Sequence, residues 1–172
     1  MELPSDRKNS YDYDELLSCA NGTLFSPDSG RLPLPGMLMT DRINLISKEG
    51  GEYGKGEIHA ELDINPEMWF FKSHFHEDPV MPGCLGLDAM WQLVGFYLGW
   101  MGEPGKGRAL GVNSVRFTGE VIKKVKMATY EVNMKKVLKT EGGTVGFADG
   151  ILKADDKQIY TAENLKVGVY KQ

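Results

Sequence analysis

Residues 57–64, EIHAELDI, alternate strictly, with Ile58, Ala60, Leu62 and Ile64 on one face and Glu57, His59, Glu61 and Asp63 on the other. A period of two predicts a half-buried antiparallel strand, because successive side chains along a strand point to opposite faces. His59 belongs to the polar face and is expected to be solvated. Residues 80–101, VMPGCLGLDAMWQLVGFYLGWM, follow no such rule, and they hold a single charged side chain, Asp88. With Pro82 and Gly83 as an entrance and GEPGKG as a terminator, this run predicts a long helix from near Gly83 to about Met101. A helix that is apolar all round belongs in a core.

The remaining segments fill in around these two. Ser10 before YDYDELLSC predicts a short helix over residues 11–18 with Ser10 as N-cap. SPDSGRLPLPG, with three prolines, is irregular, and MLMTDRINLI after it is rich in branched apolar residues and reads as a first strand. KEGGEYGKG is a turn, and NPEMWFFKSHFHEDPVMPG is an irregular connection into the long helix. Beyond the helix, RALGVNSVRFTGEV, KKVKMATYEVNMKKVLKT, TVGFADGILKAD and QIYTAENLKVGVY are strand-like, separated by KK, EGG and DDK. Consecutive strands with hairpin-length connections imply an α+β fold with an antiparallel sheet. That sheet is expected to curl round the helix and cover it on all sides.

Asp88 is out of place in such a helix. Holding an ionised carboxylate away from water costs several kcal/mol by order of magnitude unless it is paired or takes up a proton. Residues four apart share a helix face, so Cys84, Asp88 and Gln92 form one polar stripe that must open on something polar. His74 lies upstream in a connection restricted by Pro79 and Pro82, from which it can reach the helix start. An imidazole beside a protonated carboxyl supplies a base and an acid at neutral pH. The free N–H groups near Gly83, Cys84 and Leu85 carry the positive end of the helix dipole and can stabilise an enolate oxygen. Gly83 and Gly86 are expected to let a substrate approach the backbone. Other readings stand beside this one. Asp88 can be a structural carboxylate, His74 a loop histidine and Cys84 an inert thiol. Cys84 can instead be a nucleophile with His74 as its base. His74, His76, Glu77 and Asp78 are metal-ligand types, but without a matching distal pair.

Composition narrows the setting. At 172 residues the chain is expected to form one domain, residues 1–172, able to bury roughly two-thirds of its unfolded surface. Cys19 and Cys84 show no CxxC spacing and the N-terminal MELPSDRKNS has no apolar signal core, so a reduced, cytoplasmic protein is expected. Asp88, Gln92, four glycines and the lack of a cationic N-terminal flank argue against a membrane span for residues 80–101. The net charge of −4 is uneven: residues 104–140 carry nine basic side chains against Glu120 and Glu131, so that segment is +7 and the remainder −11. No aromatic interleaving or helix-turn-helix pattern supports nucleic-acid binding. A solvated strand face and a surface for an acidic protein partner are the two readings left.

The stretch LDINPEMWFFKSHFHEDPVMPGCLGLDAMWQLVGFYLGW, followed by GKGRALGV and VRFTG, closely resembles the 3-hydroxydecanoyl-acyl-carrier-protein dehydratase/isomerase family of bacterial type II fatty acid synthesis. MLMTDRI and IYTAENLKVGVY resemble it too, so the likeness covers nearly the whole chain. It implies a hot-dog fold, a curled antiparallel sheet around one central helix, working as a homodimer. Carried over, the family's catalytic pair falls on His74 of one protomer and Asp88 of the other. The resemblance places the amide of Gly83 at the thioester carbonyl, Cys84 beside the site and Gln92 as a hydrogen-bonding neighbour of Asp88. It implies dehydration of (3R)-3-hydroxyacyl chains on acyl carrier protein to trans-2-enoyl chains, and isomerisation of trans-2-decenoyl to cis-3-decenoyl, with no metal or redox cofactor. Aspartate rather than glutamate on the helix points to the bifunctional branch. The acyl chain is expected to lie in an apolar tunnel lined by MWFF and the helix, and the +7 segment to receive the acidic carrier. One departure stands in the loop: where the family commonly reads HFxGDPVMPG, this chain has Glu77, preceded by His76. Glycine there permits a backbone angle that glutamate adopts only at a cost.

Overall fold

The computed structural model of the chain describes residues 3–170. A capping box starts helix α1, Tyr13–Asn21: the Asp12 side chain accepts from the Glu15 N–H and the Glu15 side chain accepts from the Asp12 N–H. The helix ends at Gly22, whose φ of 79° is the left-handed cap glycine adopts freely. The expected start at residue 11 with Ser10 as cap is therefore corrected. Tyr11 instead bridges to Ile43 and packs edge-on against Phe96, its ring 5.1 Å away.

The strands are β1 (Arg42–Ser47), β2 (Glu57–Asp63), β3 (Lys106–Gly111), β4 (Ser114–Phe117), β5 (Met127–Thr140), β6 (Gly143–Ala154) and β7 (Lys157–Tyr170). They form one antiparallel sheet in the order β1-β2-β5-β6-β7-β3, with β4 also paired to β7. The alternation in β2 is as the sequence predicts, with Ile58, Ala60 and Leu62 buried. His59 is not simply solvated, since its Nε2 lies 2.9 Å from Glu57 on the same face. The segment RALGVNSVRFTGEV, expected as one strand, is two. Gly111 has a φ of 150° and the register against β7 shifts there, so β3 and β4 dock on β7 separately. Asp155 and Asp156 turn β6 into β7 with φ of 44° and 68°, the two left-handed positions of a tight hairpin.

Helix α2, Gly83–Trp100, is about 27 Å long at 1.5 Å per residue. It lies across the concave face of the sheet, against β3, β5, β6 and β7. Small residues in β6 set how closely it lies. A Cβ on Gly150 would sit 2.7 Å from the sulfur of Met90, and one on Gly146 3.1 Å from a methyl of Val94. The sheet does not enclose the helix. Ala89, Met90, Leu93, Val94 and Leu98 are buried, whereas Cys84 is exposed and Leu87, Asp88, Trp91, Gln92 and Gly95 are only half-buried. A single sheet curls over one side of a helix and leaves a strip of the other, and the polar stripe lies on that strip. No helix among the described residues is long and apolar enough to cross a membrane.

Candidate active site

The site is built on the open face of α2. Gln92 donates to Oδ2 of Asp88 at 2.6 Å and to the carbonyl of Met37 at 2.7 Å, and its oxygen accepts from the Met39 N–H at 3.3 Å. One amide side chain thus ties the carboxylate to the segment preceding β1. This also explains why the expected strand MLMTDRINLI begins only at Arg42: the backbone of Met37 and Met39 is hydrogen-bonded to the helix rather than to a neighbouring strand. Asp88 Oδ1 has no hydrogen-bond partner among the described residues and remains available to a ligand. Asp88 is half-buried in the protomer rather than sheathed by apolar neighbours.

At the start of α2, Pro82 occupies the N-cap position and no side chain caps the helix. Neither the Gly83 nor the Cys84 N–H has a hydrogen-bond partner among the described residues. Two free donors at the positive end of an 18-residue helix can stabilise a partly anionic oxygen. The glycines of this turn also serve packing. A Cβ on Gly83 would lie 2.9 Å from the ring of Phe117 and one on Gly86 2.5 Å from that of Tyr160. Those two rings meet edge to face at 4.7 Å and brace the first turn from beneath.

His74 is held by its own loop. Its Nδ1 lies 2.9 Å from the carbonyl of Val80, while its carbonyl accepts from the Val80 N–H at 2.7 Å. A carbonyl can only accept, so Nδ1 carries the proton, and in the neutral ring Nε2 presents its lone pair outward. The loop is anchored on the sheet side, where Val80 bridges Ile122 and Met81 donates to Val121. Between these points Phe75 and Asp78 exchange backbone hydrogen bonds across a tight turn, with Glu77 at a φ of 62°. This is the left-handed angle anticipated from the glutamate at a glycine position. It costs a non-glycine residue about 1–2 kcal/mol. The side chains of His76 and Glu77 are 96% and 87% exposed, 3.9 Å apart, and face water.

A cavity of about 320 Å³ opens beside Asp88 and Gln92, within the roughly 300–1,000 Å³ of small-molecule sites. Trp91 and Phe96 of α2 line it, together with Leu32, Arg31, Arg108 and Cys19. Burial pushes the Cys19 thiol up to about 11, so it stays protonated. His74 is not part of this cavity, and within the protomer no hydrogen bond joins it to Asp88 or Cys84 among the described residues. The MWFF segment does not line the cavity either: Phe70 and Phe71 are buried in the core against each other, and exposed Trp69 donates to the Gly36 carbonyl. The residues missed by sequence reasoning are Met37 and Met39, which hold Gln92 through their backbones, and Phe117 and Tyr160. Backbone groups carry no residue-type signal, and nothing in a linear pattern pairs a ring with a glycine many residues away.

A seven-stranded antiparallel sheet curled over one long helix, with the helix's first turn left open, is the hot-dog fold. Within that class the chain belongs to the FabA-like domain family, which matches residues 32–163. Among solved structures it is similar to the dehydratase heterocomplex ApeI:P from Xenorhabdus doucetiae, at 15% identity and a TM-score of 0.61, covering 81% of this chain and 87% of that one. It is also similar to a mutant thioesterase from Pseudomonas aeruginosa, at 12% identity and a TM-score of 0.59, covering 96% and 99%. A hypothetical thioesterase with coenzyme A from Streptococcus pneumoniae is a third such structure, at 12% identity, a TM-score of 0.50 and coverage of 76% and 85%. At these identities the likeness is one of fold.

Proposed function

We propose that the chain is a 3-hydroxyacyl-acyl-carrier-protein dehydratase that also isomerises trans-2-decenoyl to cis-3-decenoyl chains, with His74 as base and Asp88 as acid. The observation that carries this reading is the complementary wiring of the two side chains. The Val80 carbonyl fixes the proton on Nδ1 of His74 and leaves Nε2 as an acceptor, while Gln92 holds one oxygen of Asp88 and leaves the other unbonded.

His74 Nε2 takes the C2 proton of a (3R)-3-hydroxyacyl thioester. The enolate oxygen that develops sits on the Gly83 and Cys84 N–H groups, donors of a kind whose individual loss costs enzymes roughly 2.7–4 kcal/mol. The carboxyl of Asp88 protonates the departing 3-hydroxyl, water leaves, and a trans-2-enoyl thioester remains. For isomerisation the same pair moves a proton from C4 to C2. No step calls on a metal or redox cofactor.

His74 and Asp88 serve one substrate across a homodimer, His74 of one protomer facing Asp88 of the other. Exposed apolar side chains beside both groups support this arrangement, with Phe75 next to His74 56% exposed, and Leu34 and Met37 near Gln92 58% and 45%. The acidic carrier protein docks on Lys123, Lys124 and Lys126. All three are exposed, on the connection that bridges to the His74 loop through Ile122 and Val80. The +7 segment is not one surface, however. Lys135 pairs with Asp149, and Lys139 with the buried Glu103 at 2.5 Å.

Incubation with a 3-hydroxydecanoyl thioester and product analysis resolving trans-2 from cis-3 enoyl chains is the test. Both enoyl products with the thioester intact are expected. Free acid would make the chain a thioester hydrolase, and no product would make it a non-catalytic acyl-binding dimer.

A further inference from the structure

The segment WFFKSHF carries Phe70, Phe71 and Phe75, and the fold uses them differently. Phe70 and Phe71 are buried in the core, whereas Phe75 is 56% exposed and stands outside it. An exposed phenyl gains little from burial, so its placement needs another account. Its ring lies on the imidazole of His74, with centroids 3.8 Å apart and planes tilted by 32°. Among the described residues Phe75 meets no other ring.

The backbone on which the two rings stand is fixed without them. The His74 N–H donates to the Phe70 carbonyl at 2.9 Å, and the His74 carbonyl accepts from the Val80 N–H at 2.7 Å. Phe75 and Asp78 exchange backbone hydrogen bonds of 2.9 and 3.3 Å. None of these bonds uses the phenyl ring, so replacing it leaves the backbone ties of the loop in place. The imidazole itself has one hydrogen bond, from Nδ1 to the Val80 carbonyl. One bond fixes a point and not a plane, and the terminal torsion of a histidine is broad. The ring can swivel about that bond unless something holds its face, and the Phe75 ring lies against that face. Because the Nε2 lone pair lies in the imidazole plane, the tilt of the plane decides where Nε2 aims.

We infer that Phe75 is a positioning residue, whose ring fixes the plane of the His74 imidazole and so aims Nε2 at the proton it takes. The inference deepens the reading of His74 as base and rests on it. Proton transfer needs the base within hydrogen-bond reach of its proton, and a misplacement of about 1 Å can cost about 10²-fold in rate. Flatness is the property that matters here. A leucine fills part of the space but offers no flat face, whereas a tyrosine keeps the face and adds a hydroxyl on a ring that is already largely exposed.

The experiment compares the parent with Phe75→Ala, Phe75→Leu and Phe75→Tyr on a 3-hydroxydecanoyl thioester. The NMR spectrum of the His74 ring and the oligomeric state are recorded for each. Phe75→Ala and Phe75→Leu are expected to lower kcat by about 10–100-fold and to leave KM within about threefold of the parent. Phe75→Tyr should return kcat to within about threefold. The carbon-bound protons of the His74 ring should resonate upfield in the parent and in Phe75→Tyr, because they lie over an aromatic face, and should move downfield in the other two variants. Equal kcat in Phe75→Leu and Phe75→Tyr overturns the inference, since volume and not a flat face would then matter. A loss confined to KM overturns it by making Phe75 a substrate contact, and a loss that follows dissociation of a dimer overturns it by making Phe75 an interface residue only. Unshifted His74 protons in the parent overturn it whatever the activity. If the parent turns over no thioester, the reading of His74 as base fails separately, and the fixed imidazole plane is decided by the spectra: an upfield shift kept in Phe75→Tyr and lost in Phe75→Leu upholds it, and the same shift in both overturns it.

Discussion

The two faces of α2 are cut from nearly the same residue types and do opposite work. On the sheet side, Met90, Val94 and Leu98 press on Gly146 and Gly150 so closely that no side chain fits at either glycine without displacement. On the other side, Asp88 and Gln92 border a cavity, and Gly95 has only a methyl of Val167 near, 3.7 Å from where its Cβ would be. The lesson is that a helix of high mean hydropathy does not have to be a uniform core element. Packing density is spent on one side, and the polar groups proposed to meet a substrate stand on the side the sheet leaves open.

The strongest way to break this comparison is to alter the open face and find that folding suffers. Asp88→Asn and His74→Asn are each expected to lower turnover of a 3-hydroxydecanoyl thioester by about 10²–10⁴-fold, the span of general acid–base catalysis. Melting temperatures should stay close to that of the parent. Full activity in either variant, or unfolding of both, would remove the functional meaning of the open face. The converse change is Gly150→Val on the sheet side, where the new side chain meets the Met90 sulfur at 2.7 Å and a Leu165 methyl at 3.1 Å. Overpacking of this kind costs about 1–3 kcal/mol, read as a lower denaturation midpoint at unchanged slope.

The outer face of the same strand supplies a pH-dependent test. Burial disfavours the charge on Asp149, but hydrogen bonds from Tyr53, the Asn164 N–H and Lys135 outweigh it and hold the carboxyl below the usual carboxylate range. The folded value lies below the unfolded one of about 3.9, so the stability it brings is complete above that pH and is lost as pH falls through the folded value. Asp149→Asn should therefore cost about 1–2 kcal/mol at neutral pH, with the gap to the parent closing in acid below about pH 4. A gap that stays constant down the acid limb would show that the charge is not what matters. The smallest effect is expected at Gly95, where Gly95→Ala meets only ordinary contact and should stabilise by up to about 1 kcal/mol through helix propensity. Destabilisation there would mean that the open face is packed after all.

Much of this was legible beforehand, for local reasons. The period-two pattern of β2, the long apolar run of α2 and the turn residues between β5, β6 and β7 are short-range signals, and the structure shows these elements within a few residues of their expected bounds. The start of α1 is capped by Asp12 rather than Ser10: both are N-cap residue types, but only Asp12 has a glutamate, Glu15, three residues on to complete a capping box. The division into β3 and β4 was hidden because Gly111 breaks register only in the presence of β7. Within the site, Asp88 and Gln92 were visible as a four-residue stripe, and the angle at Glu77 through the glycine it replaces.

By itself, then, the sequence determined that one acid stands in an apolar helix, that a histidine precedes it on a constrained loop, and that an antiparallel sheet follows. These are matters of residue type and spacing along the chain. Only the tertiary structure decided that the sheet leaves one face of α2 open, that Gln92 is clamped by the backbone of Met37 and Met39, and that rings of Phe117 and Tyr160 fill the space over Gly83 and Gly86. Contacts between segments far apart in the chain leave no period to read, because they depend on how the sheet curves, and that curvature belongs to all the strands together.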